Sequence, residues 1–221
     1  MASSGTYTLD PTVASFTDEA FERCGVDPAG LTVRHLRSAR LSCNLLLAYW
    51  ATRGVNQWAI DTQNFTVTDA DPEYNAASGT LAILTMVVRR SSVDTPVYPM
   101  SRDEYRGVPS KTDEGMPVKF LFDREITTQT ITLWPTPENS TDVVYYDRLR
   151  RIQDVSTAAE TTDLPYPWFE AFASGLAEFL SLKFAVDRHD KLKAVAADRF
   201  HFAHEFERER FDLQMTVSLR R

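Results

Sequence analysis

The sequence predicts an α+β fold: a helical bundle of N-terminal helices and a C-terminal helix pair, an inserted antiparallel β-domain, and an extended C-terminal arm. Three observations carry this expectation. Apolar residues recur three and four apart near both ends of the chain. They alternate, or run in short β-branched stretches, through the middle. At the extreme C-terminus they alternate again. The changes of period set the expected boundaries: helices over 1–54, a β-domain over 55–153 with a long loop at 91–115, a helix pair over 164–210 and an arm over 211–221. A chain of 221 residues suits one domain, or one core with a sizeable appendage.

The elements follow in order. Thr17 is expected to cap a short helix through Phe21, with Asp18 and Glu19 at its positive end and Gly25 as its stop. Thr32 caps a second helix, in which Leu36, Ala39, Cys43, Leu46 and Trp50 form one apolar stripe, and Gly54 is placed for a left-handed end. Residues 56–61 alternate like a strand, and Phe65 and Val67 extend the pattern. Residues 69–78 read as a loop. Leu81 to Val88 is an apolar, β-branched run. Val118 to Phe122, Thr130 to Trp134 and Val143 to Tyr146 are further strands, the second broken by Pro135-Thr136-Pro137. Asp154 to Asp163 reads as a polar linker. Leu164-Pro165-Tyr166-Pro167-Trp168 opens a third helix striped by Trp168, Phe172, Gly175, Phe179 and Leu182, and widened by Phe169, Leu176 and Leu180. Arg188-His189-Asp190 turns a corner. A fourth helix, from about Lys191 to Arg210, is expected to carry Leu192, Val195, Phe202 and Phe206 on one face, with Phe200 off it.

The arm is the most distinctive segment. Phe211, Leu213, Met215, Val217 and Leu219 alternate with polar residues up to Arg220 and Arg221, with no partner strand nearby in sequence. Such a terminus can add to another chain's sheet edge or groove, or pair with the protein's own sheet.

Composition excludes several classes. Hydrophobic residues are 43% of the chain and charged residues 25%, ordinary values for a globular protein. No apolar run is long enough to span a membrane. Met1 to Gly5 lacks the character of a signal peptide, so the chain is expected to stay in the cytosol where it is made. Cys24 and Cys43 sit in apolar helical stretches and read as two buried free thiols in preference to a bridge between them. Asn139-Ser140-Thr141 matches a glycosylation sequon but reads as a polar turn. The net charge of −7 opposes wrapping around nucleic acid, though not letting DNA pass without sticking.

No catalytic constellation is evident, and neither cofactor nor metal is expected. His201 and His204 lie one turn apart, but Glu205 follows the pair instead of sitting between ligands four apart as in H-E-x-x-H. Nucleophile-elbow, phosphate-loop and dinucleotide motifs are missing. Asp103-Glu104 and Asp113-Glu114 are the best carboxylate candidates for a hydrolase, but they read first as ordinary solvation of a loop. Trp50, Trp58, Trp134 and Trp168 each lie in an apolar periodic segment and read as core.

One resemblance organises these pieces. Leu45-Leu46-Leu47-Ala48-Tyr49-Trp50 precedes Asn56-Gln57-Trp58-Ala59-Ile60. Later come Leu133-Trp134-Pro135-Thr136-Pro137, the strand Val143-Val144-Tyr145-Tyr146, and Asp163-Leu164-Pro165 leading into an apolar helix. This order resembles the head-to-tail adaptor proteins of short-tailed bacteriophages, from about Leu31 to Arg210. The resemblance implies a structural, non-enzymatic protein of the virion neck. It implies a ring of twelve copies assembled on the portal protein, a tail nozzle protein on the opposite face, and DNA passing through the channel without specific binding. It implies a monomer in isolation. By position, Phe211 to Arg221 would be the portal-binding arm, and the loop with Arg102, Asp103, Tyr105 and Arg106 would meet the tail or a neighbouring subunit. The competing readings are a virion-associated cell-wall hydrolase and a β-domain that binds the host surface.

Overall fold

The computed structural model describes residues 5–53, 57–126 and 128–207. The fold is α+β, as the sequence predicts. It divides into two compact units, one from residues 1–55 and 153–221, the other from residues 56–152.

In the first unit, helix α1 spans Val13–Cys24. Its N-cap is Thr12, whose side chain accepts from Ser15 N, and Thr17 is buried inside the helix instead of capping it. The expectation for Thr17 fails because two good caps compete, and the earlier one also lets Val13 and Phe16 bury. Gly25 ends the helix at φ 78°, the left-handed conformation that suits glycine. Helix α2, Val33–Thr52, starts at Thr32 as expected, in a capping box completed by His35. Ala39, Cys43, Leu46 and Trp50 are buried, but Leu36 is exposed. Gly54 lies outside the described residues.

A 3₁₀ turn, Tyr166–Trp168, leads into α4, Phe169–Phe184 (α3, Arg102–Gly107, belongs to the second unit). Helix α4 packs against α1, α2 and α5, the last spanning His189–Glu207. Small residues make this possible: Ala171, Ala173, Ser174, Gly175, Ala177 and Ser181 are all buried. At Gly175 a Cβ would stand 3.1 Å from Leu46 Cδ2, so the absent side chain sets how closely α2 approaches. Trp168 and Phe172 fill the centre, their rings meeting Trp50 and Phe16. Leu182, expected in the stripe, is exposed.

Polar side chains lock these helices. Arg23 grips both Glu170 oxygens at 3.0 and 2.9 Å and donates to Ser174 Oγ at 2.6 Å. Lys183 donates to Ser42 Oγ at 2.8 Å. Residues 154–163, expected as a linker, form a strap. Asn44 exchanges two hydrogen bonds with the Val155 backbone, and Val13 N donates to Glu160 O.

The second unit is two four-stranded sheets sharing one core. The strands are β1 (Ile60–Thr66), β2 (Glu73–Asn75), β3 (Thr80–Arg90), β4 (Val93–Pro96), β5 (Tyr98–Pro99), β6 (Lys119–Asp123), β7 (Thr130–Trp134) and β8 (Val143–Arg150). One sheet has the order β1-β8-β3-β4, the other β2-β7-β6-β5. Val88, Val144, Met86 and Tyr146 of the first meet Phe120, Ile131 and Leu133 of the second. Residues 57–59 form a 3₁₀ turn, so β1 starts later than the alternation from residue 56 suggests. The 69–78 segment contains β2.

Residues 91–115 are not the expected loop. They hold β4, β5 and helix α3, Arg102–Gly107. Polar residues and prolines mislead there because edge strands carry both. The chain changes sheets at buried Val97, whose N–H bonds Met86 O, and α3 reverses it. The β5–β6 pair is consequently parallel, the one departure from the expected antiparallel pattern among the described strand pairs.

Ser91 and Ser92 join β3 to β4 at φ 49° and 66°, the geometry of a type I′ turn. Replacing them with Asn and Gly is expected to stabilise the protein by about 0.5–1 kcal/mol. Denaturant unfolding reads this directly, and a lowered midpoint would contradict the turn assignment.

Candidate protein-interaction surfaces

The loop residues named from sequence sit on or beside α3. Ser101 caps this helix reciprocally with Glu104: Ser101 N donates to Glu104 Oε2 at 2.6 Å, and Glu104 N donates to Ser101 Oγ at 3.2 Å. The backbone and hydroxyl of Ser101 hold the Glu104 carboxyl below its usual range. A general acid needs the opposite shift, so Glu104 is a cap by its chemistry. Arg102 pairs with Asp123, Tyr105 is half-buried under the Lys111 ammonium, and Asp103 and Arg106 are exposed. Residues 110–115 fasten to the Trp-Pro-Thr-Pro turn through Trp134 Nε1 to Ser110 O, Thr136 N to Asp113 O and Gly115 N to Thr136 O. Asp113 and Glu114 thus belong to a backbone clasp, beside the cis Trp134–Pro135 bond.

The histidine pair diverges. His201 is exposed and reaches Glu205 at 3.3 Å, whereas His204 is half-buried beside the Phe200 ring. Among the described residues no group of three or more His, Cys, Asp or Glu could hold a metal ion. Cys24 and Cys43 are both free and buried, and burial raises the Cys43 thiol to about 12. Trp50 and Trp168 are core, while Trp58 and Trp134 are half-buried, against expectation.

The apolar side chains that face outward are more informative. On α5 the inward residues are Ala196, Ala203 and the half-buried Leu192 and Phe200. Phe200, expected off the packing face, packs against Trp50 and Trp168. Val195, Phe202 and Phe206, expected on it, are exposed. The helix carries two apolar stripes, and α4 covers the one with the smaller residues because alanine permits close approach. Leu41, Leu45 and Tyr49 make a second exposed row along α2, four residues apart. Between α1 and the segment before α4 lies a groove of about 790 Å³, walled by Leu9, Phe16, Tyr166 and Phe169 and floored by the Arg23–Glu170 pair. Exposed apolar rows of this kind mark contact sites on other macromolecules. Sequence periodicity found the α5 row but assigned it inward, since period does not say which neighbour covers a stripe.

The residues expected to form a portal-binding arm, Phe211, Leu213, Met215, Val217, Leu219, Arg220 and Arg221, lie outside the described residues. Among the described residues no helix is long and apolar enough to cross a membrane.

Fold and surfaces together define an α+β protein whose outward chemistry is that of an interaction partner. The model of the SU10 adaptor protein family matches residues 11–218, and the chain belongs to that family. It is a head-to-tail adaptor of short-tailed bacteriophages, as the order of its elements leads one to expect, and hence a structural component of the virion. No curated protein matches the chain.

Proposed function

We propose that the protein is a ring-forming neck adaptor that joins the portal to the tail and leaves a passage for DNA, and that it acts without catalysis. The observation that carries this reading is the family match, which runs through the helical unit, the β-unit and on to residue 218 within the arm. The exposed rows on α2 and α5 supply apolar surface for subunit contacts. The net charge of −7 suits a channel wall that must not grip DNA. Phe211 to Arg221 docks on the portal, and the α3 region, with Arg102, Asp103, Tyr105 and Arg106, faces the tail nozzle or a neighbouring copy. Twelve weakly binding arms held in one ring reinforce each other through effective concentration. In isolation the protein is a monomer.

Removing residues 211–221 is expected to lower binding to portal-bearing, tail-less particles by about tenfold or more. The number of copies per particle and the mass of the free protein are the measurements. Undiminished binding would remove the arm assignment.

A further inference from the structure

Two helices of the first unit each turn an apolar row to solvent. On α2, Leu41 and Leu45 are 57% and 50% exposed, and Tyr49 extends the row although its ring also meets Phe179 and Arg53. On α5, Phe202 and Phe206 are 56% and 68% exposed, and Val195 continues the row toward the start of the helix. The rows are similar in length, about 12 Å from Leu41 to Tyr49 and about 16 Å from Val195 to Phe206 at the rise of an α-helix.

The rows do not cover each other within one chain. Lys193, Ala197 and Phe200 line a groove together with Tyr49, so that side of α5 faces α2. Val195 lies on a different side, lining a hollow with Arg23 of α1. The two rows therefore look out from different faces of the unit.

Charge sets how such rows can meet. Helix α2 carries Arg34, Arg37 and Arg40 and no acidic residue, in a chain of net charge −7. All three arginines precede Leu41, and Arg37, Leu41, Leu45 and Tyr49 follow at four-residue spacing along one stripe. Arg40 donates to Ser156 O at 2.8 Å, whereas Arg34 and Arg37 are exposed and have no ion pair among the described residues. On α5 the exposed Lys191, Asp198 and Glu205, seven residues apart, run along one flank of the apolar row. Its basic end lies by Val195 and its acidic end by Phe202 and Phe206. Among the described residues Glu205 pairs with exposed His201 at 3.3 Å, and Asp198 with its neighbour Arg199 at 3.8 Å, so both acids stay open to a stronger partner.

We propose that the α2 row of one copy packs antiparallel on the α5 row of the next copy. Leu41 then meets Phe202, Arg37 lies beside Glu205 and Phe206, and Tyr49 reaches Val195. A parallel arrangement would set Arg37 beside Lys191, a like-charge contact, and leave Glu205 facing the apolar end of α2. The two rows are different surfaces, so the contact is head-to-tail and runs from copy to copy until a ring closes. Its side chains are already about half covered in the single chain, so one contact falls short of the roughly 1,200–2,000 Å² of a stable pair. It is weak between two free copies and effective once the portal holds neighbours side by side. The proposal rests on the ring reading above and assigns its contact surfaces.

Cross-linking on portal-bearing particles tests it. A chain with both Leu41→Cys and Phe202→Cys is expected to form a ladder of trimers and larger species on oxidation; native Cys24 and Cys43 are buried and do not compete. A chain with Leu41→Cys and Val195→Cys, positions that only the parallel arrangement brings together, should cross-link about tenfold less. Charge reversal gives a second readout. Arg37→Glu and Glu205→Arg should each lower the copies retained per particle by about tenfold, and the double variant should restore them, since every contact again joins opposite charges. A ladder that stops at dimers, closure within one chain, or a preference for the Val195 pair overturns the proposal. So do reversals without effect, and so does an Arg37→Glu defect that Glu205→Arg fails to repair, which assigns the arginine to another partner such as DNA. Wild-type particles rich in copies, with no ladder from the Leu41 and Phe202 pair, would overturn this contact and spare the ring. Wild-type particles holding a single copy would sink the ring reading itself.

Discussion

Phe172→Ala is expected to cost about 3–5 kcal/mol, a large share of the roughly 5–15 kcal/mol that holds a typical domain. Phe172 is fully buried at the meeting point of α1, α2 and α4, with Phe16 at 5.1 Å and Trp50 at 6.0 Å between ring centroids. The surrounding small residues of α4 cannot swing in to refill the space, and the rings on either side are held by Trp168 and by Phe169. The cavity therefore persists instead of collapsing. Phe172→Leu keeps most of the volume and should cost about 1.5 kcal/mol or less. Denaturant unfolding followed by tryptophan fluorescence reads this unit, since Trp50 and Trp168 line the same core. A loss under about 1 kcal/mol for the alanine variant would show that the site is not packed as described.

Arg148→Ala should be about as costly in the β-unit, for a different reason. Arg148 is buried and donates to Asp61 at 2.7 and 3.2 Å, to Ala77 O at 2.9 Å, to Ser78 O at 2.8 Å and to Thr80 Oγ1 at 3.0 Å. Truncation strands these acceptors together, and the expected cost is about 3–5 kcal/mol. Lysine does not rescue, because one ammonium cannot reproduce the guanidinium fork. The pH dependence separates this from simple loss of packing. The hydrogen bond from Arg148 holds the Asp61 carboxyl below its usual range. A carboxylate with a lowered folded pKa contributes fully above its unfolded value, about 3.9, and loses that contribution as pH falls toward the folded value. The stability gap between wild type and variant should accordingly narrow below about pH 4. A gap that stays constant into acid would assign the cost to packing. Arg90 with Asp142, and Thr62 and Thr85 with Asp147, lower two further carboxyls, so the β-unit as a whole should soften in acid.

Much of this architecture is legible in the chain's own pattern. Thr32 as a cap, Gly25 as a stop, the Ala39–Trp50 stripe and the strand at Thr130–Trp134 all follow from local rules, because capping, left-handed turns and period act within a few residues. The order helix, strand, helix also suffices to suggest the adaptor family. The interaction surfaces are less legible. Phe202 and Phe206 show the right spacing for a buried face yet point outward, whereas Phe200 is half-buried against Trp50 and Trp168. Spacing places residues on a common face; which face α4 covers depends on the small side chains of a helix nearly in sequence but not in pattern.

Residues 91–115 make the same point in the β-unit. Their prolines and charges read as a loop, while hydrogen bonds from Val97, Tyr98 and Met100 to β3, β6 and the residue before β6 turn them into edge strands and a sheet crossing. The place of β1 at the end of its sheet was equally invisible, since a strand's sequence does not say whether one neighbour or two will pair with it. By itself the sequence determined the fold class, the Thr32 cap, the Gly25 stop and the family, all of which rest on short-range preferences and element order. The tertiary structure decided which apolar rows stay uncovered, which strand stands at the end of its sheet and where Arg148 finds its five bonds. Those depend on partners brought together from far apart in the chain.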